Sequence, residues 1–314
     1  MRYILKKTGI LIVTLILISL LAFLAFQIIP GDPTTKLLGT DYSPERAAAL
    51  RSQLGLDQNI IIRYLRWLSG IFTGDLGVSY SYFMPVRAVL TGKIAVTGAL
   101  ALISWILVMS ASIPLGIAMA KYGNTRLDRA NVIVNQVFMA VPPFFLGILF
   151  AYIFGFVLKW FSPGRFIPFS ESFIGAVGCL ILPALAISIP KIAKVSRMLR
   201  TSILNEMSCD YVRTAYSRGN SRWSVIKKHV LRNALLPVIT YIAMTLADIA
   251  AGSIIAEQVF ALPGLGRLLL TSIGSRDYPV AQIIVVLIAF VVVFMNYLAD
   301  IITQYVDPRV RLSR

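Results

Sequence analysis

Long runs without a charged side chain alternate with polar stretches along this chain, and the runs set the reading. They cover residues 8–31, 94–120, 130–158, 172–190 and 278–299, each long enough to cross about 30 Å of hydrocarbon as a helix. A sixth run, 233–256, is interrupted by Asp248 alone. An acid at mid-span costs ~2.5–3.5 kcal/mol on insertion scales, which the surrounding apolar residues outweigh. The pattern predicts an all-α, polytopic membrane protein with six transmembrane helices and a small external helical segment between the first two. In residues, 1–31 hold the N-terminal segment and first span, and 32–93 an external helical cap. The transmembrane core occupies 94–303, with spans at 94–120, 130–158, 172–190, 237–257 and 278–300. Between them lie a long loop at 201–236 and an outer loop at 258–277, and 304–314 form a tail. A secretory signal is the alternative for the first run, since Arg2, Lys6 and Lys7 precede it, but its apolar length exceeds the usual ~7–15-residue core.

Composition agrees: 57% of residues are hydrophobic, 14% are charged, and the mean hydropathy is +0.78. The net charge of +16 raises nucleic acid as a partner until the cations are placed. Sorting the loops by side puts 19 Lys and Arg with the two termini and 11 opposite, so the positive-inside rule predicts cytoplasmic N- and C-termini. Cations divided among loops by bilayer crossings make no nucleic-acid stripe. Cys179 and Cys209 flank a cationic stretch and do not suggest a disulfide framework, and the single histidine, His229, leaves no Cys/His cluster for a metal.

Local signals organise the polar stretches. Ser43 reads as an N-cap followed by Pro44 and Glu45; Leu50 and Leu54 fall four apart, and Gly55 can end that helix. Asp57 reads as the cap of a second helix whose Ile61, Tyr64, Leu65 and Leu68 form a stripe, ending at the glycines 70, 74 and 77. The cap is either a packed loop domain or a docking face for an external partner. In the loop at 201–236, a short helix over Asp210–Arg218 ends at Gly219, and Ser221 caps a second, with Trp223, Ile226, Val230 and Ala234 on one face. Pro237 marks the start of the fifth span. Two short helices meeting at a glycine make a rigid knob able to pass force to the spans; the alternative is a basic juxtamembrane loop touching anionic lipid.

Polar groups within apolar helices should face a cavity or another helix, which makes Asn135, Gln136, Asp248, Ser253 and Asn296 candidates for a translocation pathway. On the fifth span, Tyr241, Thr245, Asp248 and Gly252 share a face, with Asp248 placed to receive a peptide amino terminus or a basic side chain, or else to make a structural hydrogen bond. Glu257 is out of phase with Asp248 and is expected to pin the outer loop. That loop is apolar for a solvated segment, with Phe260, Leu262, Leu265, Leu268, Leu269 and Leu270. Pro263 and Gly264 start a short helix there, so Glu257, Phe260, Pro263, Gly264, Leu265 and Gly266 form a candidate external gate, with plain packing as the alternative. Pro114, Pro142, Pro143 and Pro190 lie in spans two, three and four, where each removes a backbone bond.

The run DYVRTAYSRGNSRWSVIKKHVLRNALLP, residues 210–237, resembles the coupling loop of ABC-importer permeases in the dipeptide/oligopeptide/nickel family. IIPGDP at 28–33, LGLDQ at 54–58, GDLGVSY at 74–80, EQVFALPGLGRLL at 257–269, RDYP at 276–279 and DPRVRL at 307–312 resemble that family's signatures, in its order and over nearly the whole chain. Arg213-Thr214-Ala215 stands where the general coupling-loop pattern has Glu-Ala-Ala. The resemblance implies a six-helix subunit of the type I importer kind in a bacterial or archaeal cytoplasmic membrane. It implies a second homologous permease, two cytosolic ABC ATPases, an extracytoplasmic substrate-binding protein, surrounding lipid and a peptide substrate. It also implies that Asp210, Tyr211, Arg213, Ala215, Arg218 and Gly219 meet the ATPase, on which ATP and Mg sit. The chain itself is expected to be neither an enzyme nor a cofactor carrier: Gly92-Lys93 is followed by Ile94 and lacks the upstream glycine of a phosphate-binding loop. Import of nickel or a metal complex, and a stand-alone secondary transporter, are the alternative functions.

Overall fold

The computed structural model describes residues 2–28, 34, 38–39, 43–53, 55, 57–123, 125–162 and 164–306. DPRVRL, most of IIPGDP, and Asp32, Asp41 and Leu54 lie outside the described residues. Described elements are helical: α1 (Arg2–Ile28), α2 (Pro44–Gln53), α3 (Ile60–Thr73), α4 (Val86–Leu90), α5 (Lys93–Lys121), α6 (Arg126–Ala140), α7 (Pro143–Phe150, continued as π-helix over Ala151–Val157), α8 (Phe173–Glu206), α9 (Asp210–Ser217), α10 (Arg222–Val225, continued as π-helix over Ile226–Val230), α11 (Leu231–Val259), α12 (Leu265–Ser275) and α13 (Tyr278–Val306). Five stretches, Tyr3–Ile28, Val86–Lys121, Phe173–Glu206, Arg222–Val259 and Tyr278–Gln304, are long and apolar enough to cross a membrane; a sixth arises if α6 and α7 count as one broken span.

Three boundaries differ from the sequence pattern. The run at 130–158 is not one straight helix: α6 and α7 are bent by 90° at Val141-Pro142, both extended. Two successive prolines supply no N–H, and the residue before a proline is driven out of the helical region. Past residue 190, α8 continues to Glu206 because Val195, Leu199 and Ile203 recur every fourth residue and are buried, so the cations that suggested a loop ride an amphipathic helix. Pro237 lies inside α11 rather than at its start.

The chain divides into two compact units, Met1–Thr97 with Pro263–Val293, and Gly98–Leu262 with Phe294–Arg314. In the first, Ser43 caps α2 through the Arg46 N–H at 3.2 Å. Asn59, not Asp57, caps α3, its Oδ1 accepting from the Ile61 N–H at 2.9 Å. Tyr64 and Trp67 of α3 lie on Phe23 of α1, with ring centroids at 5.5 and 5.7 Å, and the Tyr64 and Ser19 hydroxyls are 2.9 Å apart. A tight turn closes where Ser79 N–H donates to Met84 O at 2.9 Å and Val86 N–H to Gly77 O at 3.0 Å. The fully buried Asp277 accepts from the Ser79 hydroxyl and from the N–H groups of Tyr80 at 3.0 Å and Ser81 at 3.2 Å. The Leu265 N–H, at the start of α12, donates to Thr97 Oγ1 at 2.8 Å.

In the second unit α8 is the central helix, packed by α11, α7 and α6. Gly116 lets α5 approach it: an added Cβ would lie 2.9 Å from Leu199 Cβ and from the Ser196 carbonyl oxygen. Ser188 donates to the Ser104 carbonyl at 3.0 Å, and Trp105 Nε1 to the Ile242 carbonyl at 3.0 Å. Asp128, at the start of α6, receives Arg200 of α8 in a two-pronged ion pair, Nε to Oδ1 at 2.7 Å and Nη2 to Oδ2 at 2.5 Å. Such a forked pair fixes orientation as well as proximity.

Candidate functional site

The loop after α8 folds as a small knob. α9 buries Val212 and Ala215, three apart and so on one side. Asp210, Tyr211, Arg213 and Arg218 are exposed. Ala215 is therefore part of the base on which the knob sits and does not reach its surface. Gly219 ends the turn at φ +77°, with nothing within 4 Å of where a Cβ would stand, so its requirement is conformational rather than spatial. The Asn220 amide donates to the Ala215 carbonyl at 3.0 Å, answering a helix-end acceptor. Ser221 caps α10, accepting from the Ser224 N–H at 3.4 Å. At the other end the Tyr211 hydroxyl donates to Glu206 Oε2 at 2.6 Å. Burial first, and the Glu206 carboxylate second, push the Tyr211 phenol up to about 12, so it remains the donor in this bond. The result is a charged, polar end face held in place by the last turn of α8.

The six pathway candidates separate. Asn135 is buried, its amide donating to Met119 Sδ at 3.0 Å while its carbonyl oxygen accepts from Ser196 at 3.4 Å. Gln136 accepts from Arg197 at 2.5 Å. With Asp128–Arg200 these form a polar ladder between α6 and α8. Ser253 is buried and donates to the Ala250 carbonyl at 3.0 Å. Asp248 and Gly252 are exposed on α11, whereas Thr245, expected on their face, is 1% exposed. Asn296 is exposed on α13. The structure supplies a group that sequence reasoning missed: Lys191 Nζ lies 4.0 Å from Asp248 Oδ2. Next to it, the Lys194 ammonium sits 5.0 Å from the centre of the Tyr241 ring. The signal was Pro190-Lys191 closing a charge-free run, where a cation reads as the edge of a loop.

The gate candidates fall in different units and are placed separately. Glu257 and Phe260 are fully buried; Leu262 N–H donates to the Glu257 carbonyl at 2.9 Å and Gly164 N–H to that of Phe260 at 3.3 Å. The Phe260 ring lies 5.8 Å from that of Phe161. Pro263 and Gly264 precede α12, whose Leu265, Gly266, Leu268 and Leu269 are buried, so the apolar residues of this helix are largely used in packing. Among the described residues no three His, Cys, Asp or Glu side chains converge as metal ligands.

Comparison with known proteins gives concordant matches. Residues 112–312 match the family described as binding-protein-dependent transport system inner membrane component, and residues 1–101 match the N-terminal family of the same membrane components. The chain is 33% identical to the oligopeptide transport system permease protein AppB of Bacillus subtilis, covering 98% of each chain. It is 33% identical to the dipeptide transport system permease protein DppB of Escherichia coli K12, covering 99% of each. Among solved structures it is similar to the inward-facing MetNI methionine ABC transporter, with a TM-score of 0.57 and 18% identity over 70% of this chain and 97% of that one. That likeness shows the fold of an ABC-importer permease.

Proposed function

Because the chain belongs to the inner membrane components of binding-protein-dependent transport systems, we propose that it carries a pathway for short peptides and moves when its α9 knob is pushed. It is a multi-pass inner-membrane permease, and its family is one of transport components rather than catalysts. The peptide substrate is supported by the names of full-length relatives that carry oligopeptides and dipeptides. In this reading a sister permease completes the pathway, cytosolic ATPases supply the work, an external binding protein delivers the peptide, and both termini lie in the cytoplasm. Asp248, Gly252 and Asn296 face the pathway. Buried Asn135 ties α6 to α5 and α8, buried Ser253 bonds back onto its own helix, and Gln136 is held by Arg197.

The observation that carries the coupling role is the knob: exposed Asp210, Tyr211, Arg213 and Arg218 on a base of buried Val212 and Ala215, closed by a left-handed Gly219. A β-branched residue strains that conformation by ~1–3 kcal/mol, whereas asparagine tolerates it. In the full transporter, Gly219→Val is expected to insert and assemble but to lose peptide uptake and substrate-stimulated ATP hydrolysis, and Gly219→Asn to keep most of both. Wild-type uptake by Gly219→Val removes the coupling role.

A further inference from the structure

Helices α5 and α8 run side by side in the same direction, as the Ser104–Ser188 bond and the later approach of Gly116 to Ser196 and Leu199 require. Three residues beyond Ser188 comes Lys191; three beyond Ser104 comes Leu107, the midpoint of the charge-free run 94–120. Asp248 in turn stands near the middle of the apolar run 233–256, well inside its span. A charge turned to lipid inside a span is costly. Yet the Asp248 side chain is 63% exposed on this subunit, and that of Lys191 21%. The α11 surface around it carries Ala251 and Gly252, both exposed, and no atom stands within 4 Å of a Cβ built on Gly252. An exposed acid inside a span, beside a cleared patch of small residues, faces water or a polar guest rather than hydrocarbon.

The pair is loosely made. At 4.0 Å it sits at the limit of an ion pair, and each partner keeps hydrogen-bonding capacity: the carboxylate has two oxygens and the ammonium three protons. Lys191 stands on a flexible four-carbon stem. A second cation, Lys194, is set aside against the Tyr241 ring. The site thus presents one acid and one mobile base, neutral as a pair.

We propose that Lys191 and Asp248 form a charge-exchange site for the zwitterionic backbone of a peptide: its terminal ammonium replaces Lys191 on the Asp248 carboxylate, and the freed Lys191 meets its terminal carboxylate. The inference rests on the permease reading above and names the chemistry of its pathway. Without a guest the two residues neutralise one another.

The test uses the assembled transporter, in cells and in proteoliposomes. First, Gly252→Cys is labelled with a cationic and an anionic methanethiosulfonate reagent, read on this chain by mass spectrometry. A unit charge ~6 Å away in water alters each rate about threefold, in opposite senses for the two reagents. The cationic-to-anionic ratio should therefore fall about tenfold in Asp248→Asn and rise about tenfold in Lys191→Met. Second, uptake is measured for a defined mixture of free and N-acetylated di- and tripeptides. Asp248→Asn should lower uptake of the free peptides at least tenfold and erase the preference for them over the acetylated forms. The doubly neutral Lys191→Met/Asp248→Asn should remain as impaired. Recovery in the double variant makes the pair a structural bond only and overturns the proposal, as does a labelling ratio that ignores both charges. ATP-dependent peptide uptake absent from the wild-type transporter itself overturns the permease reading beneath it.

Discussion

At the level of single residues, Asp128 and Arg200 are joined by a two-pronged ion pair between α6 and α8. They stand 72 residues apart in the chain. Asp128 is 2% exposed, so Arg200→Ala strips the forked cation from a buried carboxylate and is expected to destabilise the protein by ~3–5 kcal/mol. Replacing both, as Asp128→Leu/Arg200→Met, should restore most of that loss; thermal unfolding in detergent reports both effects. Tyr211 carries a pH signature. Its phenol stands near 12 in the fold against 10.0 for the free group, so folding favours the protonated form. Its contribution to stability is complete below pH 10 and disappears as pH rises toward 12. Comparing wild type with Tyr211→Phe by alkaline ultraviolet titration should show one tyrosine missing from the late-ionising fraction. The candidate pathway residues stand out in the sequence as a class, polar groups in apolar helices. Their partners do not, because Asn135 and Asp248 look alike in a one-dimensional pattern and differ only in what the neighbouring helix brings to them.

At the level of elements, periodicity and punctuation located most helices and misplaced several ends. Ser43, Ser221 and Gly219 do what their types suggest. Asp57 was outbid by Asn59 two residues later, since either amide or carboxylate oxygen can cap a helix and only the chain path decides. The break at Pro142-Pro143 was visible as a possible kink, but a 90° turn depends on what α7 packs against. The approach of α5 to α8 at Gly116 had no sequence signal at all. Gly116→Leu should push the two helices apart, lowering the melting temperature by several degrees, while Gly252→Ala, with open space at the same atom, should leave it unchanged. A loss of stability at Gly252 as large as that at Gly116 contradicts the contrast between a filled and an open side of this unit.

For the whole molecule, hydropathy established a helical membrane protein and the dispersed signature segments carried its kinship. Two of those segments also form a joint of the fold: GDLGVSY and RDYP meet where Asp277 receives Ser79, Tyr80 and Ser81. Purified under mild conditions, the chain is expected to bring with it a homologous permease and ATPase subunits; isolation alone, with full transport in vesicles, points to a secondary transporter. The Asp277 joint also has a consequence for how the protein is made. Its two sides are 198 residues apart, a delay of roughly 10–40 s at ordinary ribosome speeds of about 5–20 residues per second. Throughout that interval the Ser79–Ser81 turn is without its acceptor carboxylate. A nascent chain stopped at residue 276 should be clipped by added protease between residues 79 and 84, and one extended past the final helix should resist, making completion of synthesis itself the step that locks this joint.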